Sequence, residues 1–316
     1  MPAVPAPSSD SPDLTTQIGP SLTLPTPVVA ASGTFGYGEE IADLADCGSL
    51  GALITPTLTL EARRGSPMPR TAEASAGLLH ATGLPNPGLK AFLAERLPRL
   101  RSLPCPVIVS IAAETLETGA RLAQALSQAQ GIAALELNLS PLAFPTVDSY
   151  PSEAGLLDTI AASVAAARAA SSLPLIAKLP ATGVEIGAAA QTAAAAGADA
   201  IAVSQAFPGV AVSLSRRAFR LPGVVGGLSG PCIKPMALYQ VWRAAQSVAL
   251  PVLGGGGIMT GDDALEFFVA GASLVAVGTA NFIHPNAIAR ITADLRAYLQ
   301  THHLASVREL TSRAAG

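Results

Sequence analysis

Charge is scarce in this chain of 316 residues: Asp, Glu, Lys and Arg make up 13%, about half the ~25% of an average globular protein. The formal net charge is -3. No basic surface for nucleic acid or anionic lipid is therefore expected. Cysteine is also rare. Cys47, Cys105 and Cys232 are odd in number and lack CxxC spacing, which excludes a disulfide scaffold and suits a reducing, cytoplasmic compartment. The histidines, His80, His284, His302 and His303, are scattered and give no metal-ligand pattern. There is no G-x-S-x-G elbow and no P-loop. The most apolar windows, residues 186–212 and 267–283, are broken by glycine and carry Gln191, Asp199 or Asn281, so no membrane span is expected. The first residues, MPAVPAPSSDSPDL, lack a basic start and an apolar stretch, unlike a signal peptide.

What the chain has instead is apolar bulk, 50% of its residues, with 29 glycines. The glycines are most telling in residues 251–281, PVLGGGGIMTGDDALEFFVAGASLVAVGTAN. Two short apolar runs each stop at glycine, one at Gly254 to Gly257 and one at Gly278-Thr279. Between them Thr260 precedes Asp262, Asp263 and an apolar-periodic run, the pattern of an N-cap and an amphipathic helix. Strand, glycine turn, helix, strand, glycine turn is the grammar of a βα barrel. Glycines at strand ends admit close approach of backbone N–H groups to an anion. The loops after the last two strands are the usual phosphate site of such barrels. Tight βα turns alone are the plainer explanation; two consecutive glycine turns favour a phosphate-bearing ligand.

Taken in order, the chain alternates eight times. Strands are expected at residues 28–31, 51–55, 107–111, 133–138, 175–179, 200–204, from 251, and 273–277, with helices between, one of them near residues 39–47. This is the (β/α)8 count of a TIM barrel in one α/β domain. Residues 22–27 are expected to form a short β-hairpin strand below it. Residues 1–20, rich in proline and serine, are expected to be disordered, residues 21–300 to form the barrel, and residues 301–316 a polar tail. Three long excursions follow strands 2, 4 and 6, at residues 61–87, 139–154 and 205–231.

Active sites of this fold gather at the C-terminal strand ends. Those ends read Ser32-Gly33, Thr57, Ser110, Asn138, Lys178, Ser204, Gly256-Gly257 and Gly278-Thr279. In so uncharged a chain, Lys178 is a candidate Schiff-base nucleophile, anion clamp or flavin partner; a lysine that merely covers apolar surface is the alternative. Asn138, buried at a strand end, needs hydrogen-bond partners from a ligand or a loop.

Five strings carry a resemblance: ASGTFGYGEE (residues 31–40), LPNPG (84–88), GGLSGPCIKPMAL (226–238), GGGGIMTGDDALEF (254–267) and AGASLVAVGTANF (270–282). Collinear over residues 22–299, they resemble class 1 dihydroorotate dehydrogenases, most closely the type that works with an iron–sulfur electron-transfer subunit. The resemblance implies FMN at the strand mouths, with its phosphate on the backbone of Gly256, Gly257, Gly278 and Thr279. It places Ser32, Gly33, Thr57, Asn138, Lys178, Val203 and Gly230 on family FMN positions, Lys178 against the polar edge of the isoalloxazine. It also implies a homodimer, the electron-transfer subunit as partner, and oxidation of dihydroorotate to orotate in pyrimidine synthesis.

The departures sort to one side. The family's N-x-S-C-P-N, whose cysteine is the base, appears here as Asn138-Leu139-Ser140-Pro141-Leu142-Ala143, leaving Ser140 as the base candidate. T-K-T becomes Thr55-Pro56-Thr57. N-A-I-G-L becomes His80-Ala81-Thr82-Gly83-Leu84, and an expected asparagine with its following threonine or serine becomes Ser204-Gln205. These positions would grip the substrate's carboxylate and ring amides, and each lost polar pairing costs about 1–3 kcal/mol. The expectation is an FMN oxidoreductase with a rewritten substrate face and an altered substrate. The alternatives are a non-catalytic FMN-binding paralogue and a flavin-free phosphate-binding barrel enzyme using Lys178.

Overall fold

The computed structural model describes residues 11–41, 43–140 and 151–312. Eight parallel strands close into a barrel: β1 (Val28–Ala30), β2 (Leu53–Ile54), β3 (Val107–Ala112), β4 (Ala134–Asn138), β5 (Leu175–Lys178), β6 (Ala200–Val203), β7 (Val252–Gly255) and β8 (Leu274–Val277). Neighbours follow chain order, and β8 closes onto β1 with Val275 opposite Val28. The chain is thus a (β/α)8 TIM barrel. The strands are buried almost throughout, because helices cover their outer face while inward side chains fill the barrel. Alternate residues such as Val29, Ile54, Ile108, Ile176 and Leu253 form the inner core. Ile18 and Leu24 join them from below, carried by the antiparallel hairpin Thr16–Ile18 and Leu22–Leu24. That hairpin is the small N-terminal β addition.

The helices start where side chains can cap them. Thr115 accepts the Thr118 N–H at the head of Leu116–Ser127, and Thr260 does the same for Asp263 at the head of Gly261–Val269. Each satisfies an N–H group that the first turn would leave orphaned.

Three expectations need correction. Disorder over residues 1–20 fails for its second half, since Thr16–Ile18 is a strand; residues 1–10 lie outside the described residues. The proline- and serine-rich composition gives way at Leu14, which is buried. The polar tail is likewise packed: Leu304, Val307 and Leu310 are buried, and Asp13 donates its N–H to Ala305 O at 2.8 Å. The two end segments therefore close on each other; residues 313–316 are outside the described set. In place of a helix near residues 39–47 there are turns and a short 3-10 helix, Cys47–Ser49. Glu39 there pairs with Arg96 and Arg99 across the helix that follows β2.

The excursions after β2 and β6 are not loops alone. Strands Thr71–Ala74, Gly77–His80, Val225–Ser229 and Phe207–Val210 form a four-stranded antiparallel sheet beside the barrel mouth, with Gly227 opposite His80.

Candidate active site

β7 ends at Gly255, and the chain turns through Gly256 and Gly257 at φ +124° and +84°, values that strain any L side chain. Space forbids one as well. A Cβ on Gly257 would lie 2.8 Å from Lys234 Cβ and 2.9 Å from its backbone N, and one on Gly256 would lie 2.9 Å from Ala237 Cβ. Lys234 is itself pinned, its Nζ 2.7 Å from Asp263 Oδ1 and 2.9 Å from Glu266 Oε1. Asp263 Oδ2 accepts the N–H groups of Met259 and Thr260, both at 2.9 Å. Burial pushes the Asp263 carboxyl up, but the Lys234 bond, the Met259 N–H and the Thr260 hydroxyl together outweigh it and hold its pKa below the usual value.

The turn so fixed leaves donors unused. Gly257 and Ile258 are buried residues whose amides find no acceptor among the described residues, and the amides of the half-buried Gly278 and Thr279 find none either. Buried N–H groups are nearly always paired, and each orphan costs about 1–3 kcal/mol. A cluster of them at two adjacent strand ends is the arrangement that receives an anion. Thr279 Oγ1 donates to Ser229 Oγ at 2.9 Å, and Ser229 to Leu78 O at 3.2 Å, tying β8 to the sheet beside the mouth.

The opposite rim is built from side chains. Asn138 ends β4 and faces Lys178 at the end of β5 in register. Lys178 Nζ lies 3.6 Å from Glu136 Oε1, the two side chains being 8% and 1% exposed. Neither Glu136 oxygen has a hydrogen-bond partner among the described residues. A polar chain crosses the rim. Gln205 Nε2 donates to Ser140 Oγ and, at 3.3 Å, to Asn138 Oδ1. Asn138 Nδ2 is 3.5 Å from Thr57 Oγ1, and Thr57 meets Ser110 Oγ at 3.0 Å. His80, the last residue of an inner strand of the added sheet, has its pKa lowered first by burial and then by the charge of Lys178.

One cavity of about 760 Å³ joins these parts. Ser32, Gly33, Thr57, Asn138, Lys178, Gly230, Gly256, Gly257, Gly278 and Thr279 line it, as do His80, Ala81, Thr82, Gly83, Leu84, Ser140, Ser204 and Gln205. Val203 does not: it is buried at the end of β6, outside the lining. Ser110 sits beneath the wall, fully buried. Pro141, Leu142 and Ala143 fall outside the described residues. Among the described lining residues Lys178 alone carries a formal charge. Glu136 is the residue that the sequence reading passes over. Its signal is a carboxylate in the inward-facing phase of an otherwise apolar strand, ALELN, set by Asn138 two residues on.

Among the described residues no group of three or more His, Cys, Asp or Glu is placed to hold a metal ion. Nor is any helix there long and apolar enough to cross a membrane.

Comparison with known proteins gives a consistent picture. The family model described as dihydroorotate dehydrogenase matches residues 14–299. The catalytic subunit of dihydroorotate dehydrogenase B (NAD(+)) from Desulforudis audaxviator is 46% identical over 294 residues, 93% of this chain and 95% of that protein. The subunit of the same name from Geobacter sulfurreducens is 44% identical over 300 residues, covering 95% and 97%. In fold the chain is similar to the Eimeria tenella dihydroorotate dehydrogenase solved with ferulenol, with a TM-score of 0.76 at 21% identity, covering 96% of this chain and 89% of that one.

Proposed function

Because the chain belongs to the dihydroorotate dehydrogenase family, we propose that it is an FMN-dependent oxidoreductase that dehydrogenates a CH–CH bond, with dihydroorotate as the first candidate substrate and pyrimidine biosynthesis as its setting. The observation that carries this reading is the cluster of unpaired amides at Gly257, Ile258, Gly278 and Thr279, joined by one cavity to Lys178. A phosphate monoester would satisfy those amides, and the turn that presents them is held close against the next helix, since a Cβ at Gly256 or Gly257 would collide with Ala237 or Lys234.

When bound, FMN would supply the hydride acceptor. The chain's own part is placement. Ser32, Gly33, Thr57, Asn138 and Gly230 would surround the ring system, while Val203, buried behind the lining, would support it only from beneath. Lys178 would set its ammonium against the ring's polar edge, favouring a negatively charged reduced form. Ser140, held by Gln205, is the candidate base for the proton that leaves with the hydride. His80, Ala81, Thr82, Gly83, Leu84, Ser204 and Gln205 would face the substrate. With no acidic or arginine side chain along the described lining, recognition there falls to neutral polar groups and Lys178. That is the reason to keep an altered dihydropyrimidine as the second candidate beside dihydroorotate. A homodimer, an electron-transfer subunit as partner and a cytoplasmic location complete the proposal; the relatives' name, catalytic subunit, supports the second of these.

An absorbance spectrum with added FMN tests the cofactor, and anaerobic mixing with dihydroorotate and other dihydropyrimidines tests the reaction. A bleached flavin band is expected with at least one of them. FMN binding without bleaching by any dihydropyrimidine favours a non-catalytic paralogue instead. The observation on that side is the lack of a cysteine between residues 139 and 152. A protein that takes up no FMN favours a flavin-free barrel enzyme acting through Lys178.

A further inference from the structure

The proposed reaction leaves Glu136 without a task. Its side chain lies on the inward face of β4, one pleat deeper than Asn138, and is fully buried. It does not line the cavity. Both carboxylate oxygens lack a hydrogen-bond donor among the described residues, and the nearest cation is Lys178, 3.6 Å away. Lys178 in turn makes no hydrogen bond to the described protein, although an ammonium has three donors to place. A buried pair that closes no hydrogen bond is a poor device for stability, since hydrophobic residues of similar volume do as well or better. It is a good device for setting an electrostatic potential. Lys178 opens on the cavity, Glu136 stands behind it, and both side chains are buried, so solvent screens their field only weakly.

We propose that Glu136 is a positioning residue that acts through Lys178, setting how much positive charge the cavity floor offers to the flavin and so holding the reduction potential down. This rests on the FMN reading above. The carboxylate cancels part of the ammonium's field at the ring, and the part left over favours the anionic reduced form. The charge of Lys178 is felt elsewhere in the cavity lining too, since it adds to the burial that lowers the pKa of His80.

The test uses the full FMN-loaded chain and reads the midpoint potential of the bound flavin against a reference dye, together with the affinity for oxidised FMN. Glu136→Gln is expected to raise the potential, tightening reduced over oxidised FMN by about tenfold, which is ~30 mV for a two-electron couple. Lys178→Gln is expected to move it the opposite way. If Glu136 merely held the lysine in place, both variants would lower the potential. That outcome, or no shift in Glu136→Gln, overturns the proposal. Should Glu136→Gln not fold, Glu136→Asp keeps the charge but withdraws it by one methylene. A smaller rise is expected there, and no shift or a fall is fatal. Wild-type protein that binds no FMN sinks the functional reading and this inference together, whereas FMN binding with an unmoved potential in the variants sinks this inference alone.

Discussion

The two sides of the cavity recognise by different means. At the ends of β7 and β8 the groups on offer are backbone amides, and the residues that offer them must be small. Gly256 and Gly257 have positive φ and no room for a Cβ, so their identity is fixed by geometry whatever the ligand. At the ends of β2 to β6 the groups are side chains: Thr57, Asn138, Ser140, Lys178 and Gln205. A side chain can be exchanged without disturbing its strand. The first rim is thus able to keep one ligand while the second changes, which is what the proposal of an altered substrate requires.

The largest effect that probes this contrast is at Gly257. Alanine there meets Lys234 at 2.8 Å and adds strain of roughly 1–2 kcal/mol for a positive φ. FMN affinity is expected to fall about a hundredfold, read by quenching of flavin fluorescence on titration. Gly278→Ala is the internal control. Its Cβ would meet nothing nearer than Thr34 Cγ2 at 3.5 Å, and a change of under about threefold is expected. If Gly257→Ala binds as tightly as the wild type, the backbone rim is not a phosphate cradle and the contrast fails.

The same difference explains what the sequence discloses. Glycine announces a backbone site because few other residues tolerate the geometry, so the turns after β7 and β8 stand out in the bare string, as do the strands that lead into them. Side-chain sites announce themselves only when their residue type is out of place. Lys178 and Asn138 are, at strand ends in a chain short of charge. Glu136 is equally out of place, yet it lies one layer below the rim, where reading strand ends alone misses it. Val203 enters by resemblance, and its burial outside the lining is beyond any motif. The added sheet is illegible for a topological reason. Gly77–His80 pairs with Val225–Ser229 across most of the barrel, and Gly226 and Gly227 suggest a turn where the structure has a strand. The end segments mislead because composition hides Leu14, Leu304 and Val307, whose burial depends on the two meeting.

On the side-chain rim the strongest expected effect is at Lys178, the charged member of the described lining. Lys178→Ala removes a charge-assisted interaction of about 1.5–3 kcal/mol, so flavin reduction is expected to slow by about 10- to 100-fold, measured by anaerobic stopped flow with whichever dihydropyrimidine bleaches the wild type. The variant should also raise the pKa of His80, followed by NMR of its ring protons. Burial, the larger cause of its depression, remains, so the value should still fall short of that of a free histidine. A His80 pKa that does not rise would separate Lys178 from the substrate-facing side.

Between the two rims in size of effect lies the support of the glycine turn. Asp263 caps the Gly261–Val269 helix, holds Lys234 and accepts the amides of Met259 and Thr260. Asp263→Asn is expected to cost about 1–2 kcal/mol at neutral pH, seen as a lower Tm. The carboxyl's folded pKa is depressed. Its contribution is therefore present above the unfolded carboxylate's pKa and lost as pH falls through the folded value. The gap in Tm between variant and wild type should close in acid. A gap that stays constant with pH would mean that packing, not charge, carries the support.

The smallest effect on the cofactor, and the sharpest on the contrast, is expected at Gln205. Its amide bridges Asn138 and Ser140, so it stands between the residues proposed to hold the ring and those proposed to face the reactant. Gln205→Ala frees Ser140 and leaves Asn138 its contact with Thr57. FMN affinity should then change by less than about threefold, the size of one neutral hydrogen bond at most half engaged, while the KM of a bleaching substrate rises by more. If FMN binding weakens tenfold instead, Gln205 belongs to the cofactor's support, and the two rims are not independent enough for one to be rewritten while the other is kept.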